Sequence, residues 1–432
     1  MSWRIVLATF GSFGDLHPYL ALALELKARG HMPVLATSAF YRDKVESEGI
    51  AFAAVRPDLP DVGGITELIH QIMDARKGPE TVVRQLMLPH LRASYEDLTA
   101  AAQGADLLVS HALTYALPLV AEKQGLPWVG VALQPMVFFS VYDLPVVSPA
   151  PWLSALRPLG PRFFGPLLKV MKGQVRHWMA PVDALRAEIG LPPSPANPIF
   201  EGQFSPTLNL ALFSPVLAAP QPDWPPNTIL TGFPFYDRLE KSAGLPAELA
   251  AFLDAGPPPI VFTLGSSAVL AAGRFYEESA EAARRLGRRA VLLIGNDPRN
   301  RPQQPLPDGV VAFEYAPYSD LFPRAAAIVH QGGIGTTGQA LRAGRPMLVM
   351  PYSHDQPDNA YRVTRLGVAR TLSREEYTAA RAAEELRRLL TEPRYAARAA
   401  EIGCRVQAEQ GAKVACDALL KLKMASKTVP LS

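Results

Sequence analysis

The sequence predicts two doubly wound α/β domains within one chain of 432 residues. Three observations carry this. Short apolar, β-branched runs alternate with helical patterns in both halves. Each half opens on such a run leading into a Gly/Ser loop, at Gly11-Ser12-Phe13-Gly14-Asp15 and at Gly265-Ser266-Ser267. Between the halves, Ala218 to Pro226 reads AAPQPDWPP, a density of proline that neither a helix nor a central strand tolerates.

In the first half Arg4 to Phe10 is the opening strand. Pro18 to Arg29 repeats Leu20, Ala23, Leu24 and Ala28 at helical spacing, with Pro18 near its start and Gly30 just past its end. Pro33 to Thr37, Ile50 to Val55, Asp106 to Ser110 and Pro127 to Leu133 are further strands, and Tyr115 to Gln124 is a helix. Pro135 to Met179 breaks the alternation: Phe138, Phe139, Tyr142, Trp152, Phe163, Phe164 and Trp178 stand among prolines, and Arg162, Lys169, Lys172 and Arg176 follow. Two readings stay open, a helical hairpin covering the sheet and the wall of an apolar pocket with a surface suited to peripheral membrane contact. The alternation restarts with strands Ile260 to Leu264, Ala290 to Ile294, Val310 to Phe313, Ala326 to His330 and Pro346 to Met350, and helices continue to about Leu422. The expected divisions are 1–217, a linker 218–237, 238–393 and a terminal helix in 394–432, from about Tyr395 to Met424.

Composition narrows the classes. Hydrophobic residues at 48% supply packed cores, and 43 Lys+Arg against 40 Asp+Glu argues against nucleic-acid binding as the main task. Cys404 and Cys416 form neither a disulfide framework nor a metal spacing, which fits a reducing cytoplasm. The N-terminus reads as a strand and not as a secretory leader, and the longest uncharged stretch, Gln124 to Tyr142, is interrupted by Pro127 and Pro135, so no membrane span is expected.

Ligands of doubly wound sheets sit at the carboxyl ends of strands. Three loops there hold unusual residues. In His330-Gln331-Gly332-Gly333-Ile334-Gly335-Thr336-Thr337, glycines admit a ligand to the backbone, and a helix start offers free N–H groups and two hydroxyls, a site for phosphate or diphosphate. In Pro351 to Ala360, adjacent Asp355 and Gln356 suit a polyhydroxylated ligand. In Gly11 to His17, Asp15 reads either as a helix cap or as a general base facing a cleft. His17 reads as a helix-start residue or as part of an entrance. No Asp-x-Asp pair occurs, so a metal bridging a diphosphate is not expected and the helix start must balance the charge.

Together these residues resemble the family 1 glycosyltransferases of the GT-B fold, in a bacterial branch similar to sterol glucosyltransferases, antibiotic aglycone glycosyltransferases and glycolipid rhamnosyltransferases. HQGGIGTTGQALRAGRPMLVMPYSHDQPDNAYRV from His330 to Val363 carries most of the likeness, and GSFGDLHPYLALALELKARGH from Gly11 to His31 supports it. The resemblance implies two Rossmann-like domains facing a cleft, the acceptor in the first, a nucleotide sugar in the second, and residues 394–432 crossing back to the first. It implies that Asp15 is the base, with His111 pairing to it, and that Ser12 and Gly14 reach the donor from the facing loop. Gly265, Ser266, Ser267, Tyr315, Ala316 and Pro317 would lie near the nucleotide, with the Tyr-Ala-Pro run flanking its base. His330, Gly332, Gly333, Gly335, Thr336 and Thr337 would hold the diphosphate, and Asp355 and Gln356 the sugar hydroxyls. His17, Phe138 and Phe139 would meet an apolar, hydroxylated acceptor. No cofactor or metal is implied beyond the nucleotide-sugar co-substrate.

Plant relatives carry a ribose-binding Glu eight residues after the motif His, and here that position is Gly338 with Gln339 beside it. UDP-glucose is common among relatives and is slightly favoured, while Gly338 leaves room for a dTDP-sugar. The expected reaction is inverting hexosyl transfer. The alternatives are a nucleotide-sugar epimerase on the same fold and a silent nucleotide-sugar-binding protein.

Overall fold

Strand residues such as Ile5-Val6-Leu7 and Ile260-Val261-Phe262 are buried on both faces, which requires helices on both sides of each sheet. A computed structural model describes residues 2–58, 68–237, 244–301 and 304–426 and shows that arrangement. The first sheet holds β1 (Arg4–Ala8), β2 (Met32–Thr37), β3 (Ala51–Ala54), β4 (Leu107–His111), β5 (Trp128–Ala132), β6 (Leu208–Ala211) and β7 (Thr228–Leu230). The second holds β8 (Ile260–Thr263), β9 (Ala290–Leu293), β10 (Val310–Phe313), β11 (Ala327–His330), β12 (Met347–Val349) and β13 (Ala369–Thr371). Their orders, β3-β2-β1-β4-β5-β6-β7 and β10-β9-β8-β11-β12-β13, reverse direction between β1 and β4 and between β8 and β11. Every described pairing is parallel.

The structure differs from the sequence reading in four places. The first helix runs Phe13–Ala28 and begins at Ser12, not at Pro18; a Ser12/Asp15 capping box nucleates it, and Pro18 lies inside at the loss of one helical hydrogen bond. Strands β6, β7 and β13 are additions. β7 lies within the segment expected to be linker: past the prolines, Thr228 to Leu230 pairs with Asn209 to Ala211 at the sheet edge. The terminal segment is two helices instead of one long one. Pro393–Gln407 packs on the helix Ile334–Ala343, where Gly403 lies against Gly344. After the break, Gly411–Ser426 packs on Phe13–Ala28 in the first domain, with Ala415, Cys416 and Leu419 in the core that holds Leu22 and Leu26. Pro135 to Met179 forms the short turns Pro135–Phe138 and Pro151–Leu159 and the helix Gly160–Arg176. Among the described residues no helix is long and apolar enough to cross a membrane.

Candidate active site

The points where strand order reverses open a crevice at the carboxyl ends of the strands. Asp15 lies just past β1 and His111 ends β4; Gly265 lies just past β8 and His330 ends β11. The two crevices face one another. A Cβ added to Gly335 would stand 3.8 Å from the Cα of Gly14, so the starts of the helices Phe13–Ala28 and Ile334–Ala343 meet across the cleft.

On the first side, Asp15 serves both readings of its loop. Its Oδ2 accepts the Ser12 N–H at 2.7 Å, and Ser12 Oγ accepts the Gly14 N–H at 3.2 Å. Its Oδ1 faces His111 Nε2 at 3.5 Å. His111 Nδ1 accepts the Leu113 N–H, which leaves the ring proton on Nε2 and aims it at Asp15. Both histidine nitrogens are therefore engaged, and Asp15 keeps the free lone pairs. The loop is braced from behind: Tyr41 Oη donates to Gly11 O at 2.8 Å, and Tyr19 Oη donates to Ser110 O at 3.0 Å. Gly11 has φ +137°, and a Cβ there would fall 2.2 Å from Asp15 Oδ2, so only glycine lets the carboxylate fold back onto its own loop.

On the second side, Gly332 has φ +92° and its N–H donates to His330 Nδ1 at 3.0 Å. His330 Nε2 then carries the proton. It is buried and meets no partner among the described residues, as is Thr337 Oγ1. Burial pushes the His330 imidazole down to about 3, so the ring is neutral and donates without carrying charge. Asp355 Oδ2 accepts the Ile334 N–H at 3.2 Å and the Asn359 side-chain N–H at 2.7 Å. Burial, and then the charge of Asp15 across the cleft, push the Asp355 carboxyl up to about 7. Gln356 Oε1 accepts the Tyr352 N–H at 2.8 Å, which leaves its amide N–H groups for other partners. Among the described residues no group of three or more His, Cys, Asp or Glu side chains is arranged to hold a metal ion.

Several expected contacts fall elsewhere. Phe138 is buried and stacks on Trp224 at 4.2 Å and on Phe204 at 5.5 Å, so its ring belongs to the core beneath the proline-rich crossing and not to a pocket wall. Phe139, at φ 47°, packs edge-on against Phe200. His17 is two residues from Asp15 on a helix, about 200° away, and packs on Tyr236 at 4.9 Å in the interdomain segment. Burial, reinforced by Lys44, pushes it down to about 4. It is a partly exposed residue of the first helical turns, the first of the two readings of that position. Ala316 is wholly buried and Pro317 nearly so, which leaves Tyr315 as the exposed ring of that run. Ser266 is exposed and Ser267 partly so beside Gly265, whose added Cβ would press on Gln331 Nε2 and lie 3.3 Å from Thr336 Oγ1. A Cβ at Gly338 would stand 3.1 Å from the ring of Phe233. That position faces the interdomain crossing, and a Glu there would have to displace the Phe233 ring.

Sequence reasoning missed three contributors. Gln331 bridges the Gly265 and Gly333 turns. Asn359 ties Gly332 O to Asp355, and its spacing of four from Asp355 was the available signal. Third is a buried ionic cluster, Arg362 with Asp358 and Asp143, which joins the first domain to the helix Gln356–Arg365. Val146 N–H also donates to Asp358 at 2.9 Å, and Ile72 O meets His354 Nε2 at 2.9 Å, so two segments of the first domain clasp the loop that carries Asp355.

Two facing Rossmann-like domains with paired loops at the switch points define the GT-B class. Residues 5–132 match the family described as glycosyltransferase family 28 N-terminal domain, and residues 282–416 match the erythromycin biosynthesis protein CIII-like C-terminal domain. The chain is 34% identical to O-mycaminosyltylonolide 6-deoxyallosyltransferase of Streptomyces fradiae over 96% of each chain. It is 31% identical to glycosyltransferase GtfE of Amycolatopsis orientalis over 84% of this chain and 85% of that one. The chain therefore belongs to the bacterial GT-B glycosyltransferases. Among solved structures, glycosyltransferase VinC in complex with DTDP superposes with a TM-score of 0.68 at 22% identity, covering 98% of this chain and 100% of that one. None of these relatives is named as an epimerase.

Proposed function

We propose that the protein transfers a hexose, with inversion, from a nucleoside-diphosphate sugar to a hydroxyl of an apolar acceptor. The observation that carries this is the opposition of Asp15 to the helix start at Ile334 across one cleft. Asp15, oriented by the Ser12 N–H and by His111, takes the acceptor's proton. The acceptor oxygen attacks the anomeric carbon as its bond to the diphosphate breaks. The leaving diphosphate meets the N–H groups of Gly335 and Thr336 in the first helical turn and the unpartnered His330 Nε2–H and Thr337 hydroxyl. Asp355, with Oδ2 already occupied, offers Oδ1 to the sugar hydroxyls, and Gln356 offers its amide N–H groups. No step uses a metal.

The relative of Streptomyces fradiae is named for a 6-deoxyallosyl group and an O-mycaminosyltylonolide acceptor, and VinC was solved with DTDP. These names support a dTDP-activated deoxyhexose and a macrolide-type acceptor over UDP-glucose. A panel of UDP- and dTDP-hexoses crossed with macrolide, sterol and phenolic acceptors, read by mass and by the anomeric coupling of the product, tests the reading. Transfer with retention, or donor turnover without any acceptor, refutes it.

A further inference from the structure

We propose that the outer face of the helix Gly160–Arg176, with the turn before it, docks on an anionic lipid bilayer. The inner stripe of this helix is complete without that face: Phe164 and Leu168 are buried against the domain. Yet Phe163 and Val170 are 43% and 60% exposed, Leu159 just ahead of the helix 53%, and Trp152 in the preceding turn 64%. Phe163 and Val170 are seven residues apart, two turns, so they form one outward row. Arg162 and Lys169, also seven apart, form the neighbouring row about 100° away. Both are exposed, and neither makes an ion pair among the described residues.

Charge selects the occupant. No Asp or Glu stands between Asp143 and Asp183, while Arg157, Arg162, Lys169, Lys172 and Arg176 do. Three of these are spent within the fold: Arg157 on Leu144 O and the ring of Tyr361, Lys172 on Glu201, and Arg176 on Asp183. The two left outward flank the apolar row. That pattern, apolar side chains beside unpaired cations, matches a bilayer interface that carries anionic headgroups. A second copy of the chain fits poorly, because a two-fold contact would set Arg162 and Lys169 against their own counterparts with no acid on the segment to answer them. With no helix able to span a membrane among the described residues, the contact lies on the surface.

The inference does not depend on the transferase reading, since its test contains neither donor nor acceptor. The full chain is sedimented with phosphatidylglycerol-rich vesicles and with pure phosphatidylcholine vesicles, at low and at high salt. Preferential binding to the anionic vesicles, weakened by salt, is expected. Arg162→Gln with Lys169→Gln should lower the partition about thirtyfold, from about fivefold per lost charge. Phe163→Ser with Val170→Ser should lower it at least tenfold while leaving thermal unfolding unchanged. No binding, equal binding to both vesicle types, or insensitivity to both double substitutions overturns the proposal. So does a dimer in light scattering that either double substitution dissolves, which would give this face to a second copy.

Discussion

Asp355→Asn should change how stability depends on pH, and the structure supplies both sign and size. Burial, followed by the Asp15 charge, raises the Asp355 carboxyl from 3.8 to about 7. In the unfolded chain the proton leaves near 3.8, whereas in the folded protein it stays until about 7. Between those values the folded state binds more protons, so stability is fully present below about pH 4 and is lost as pH rises through 7. Three pH units at about 1.4 kcal/mol each set a ceiling of about 4 kcal/mol, reduced because the side chain is not wholly shielded from water. Asn keeps an oxygen for the Ile334 N–H and carries no charge at any pH. The stability of Asp355→Asn relative to wild type should therefore climb from pH 4 to 7 and then level off. Urea unfolding of the ligand-free protein at each pH measures this. Since Asp15 is the second cause, Asp15→Asn should move the wild-type midpoint toward lower pH. Parallel curves for wild type and Asp355→Asn across pH 5–8 would refute the assignment.

Asp15→Asn should lower turnover by about 10²–10⁴-fold with nucleotide affinity unchanged by calorimetry; near-normal transfer would remove Asp15 as the base. His330→Ala should weaken nucleoside-diphosphate binding by about tenfold or more, the effect of one hydrogen bond to a charged group, and leave acceptor binding intact. Gly338→Glu should cost about 1–3 kcal/mol of stability through overpacking on Phe233, with no change in the UDP-to-dTDP preference measured by calorimetry. Phe138→Ala should cost about 3–5 kcal/mol in denaturant titration and leave the acceptor KM unmoved. Chelator should leave the initial transfer rate unchanged; loss of activity restored by magnesium would overturn the proposed charge balance.

What the sequence disclosed and what it hid follow from range. Buried parallel strands are continuous apolar runs, so β1, β4, β8, β11 and β12 and the loops beyond them were legible, and with them the places of Asp15, His111, His330 and Asp355. Strand β13 is only Ala-Arg-Thr, and β7 is three residues behind a run of prolines; neither has enough apolar periodicity to announce itself. The aromatic residues misled for another reason. An aromatic that lines a pocket and one that stacks in a core look alike in a sequence, and Phe138 meets Trp224 from 86 positions away. A still longer separation, 219 positions, hid Asp143 from Arg362. The two readings of His17 differ by helical phase: taking the helix to start at Pro18 left His17 on a loop beside Asp15, whereas the capping box places it inside the helix on the opposite face.

The proposed chemistry asks a site with two carboxylates to accept a diphosphate. His330 cannot offset that charge, because burial keeps it neutral. Each carboxylate instead sits at a helix start: Asp15 closes the capping box of Phe13–Ala28, and Asp355 accepts from Ile334 at the head of Ile334–Ala343. Asp355 also holds its proton to about pH 7, so near neutrality the cleft carries less than two full negative charges before the donor enters. A neutral carboxyl both donates to and accepts from sugar hydroxyls, which an ionised one cannot. Closure strengthens each of these effects, since the segments carrying Asp143, Val146 and Ile72 hold the Asp355 loop against the first domain and keep Asp15 near enough to raise its neighbour. Asp15 is thus oriented by its own helix start and by its Ser12 and His111 contacts, while Asp355 facing it is discouraged from ionising, and that asymmetry suits proton abstraction at one carboxylate beside a sugar held by the other.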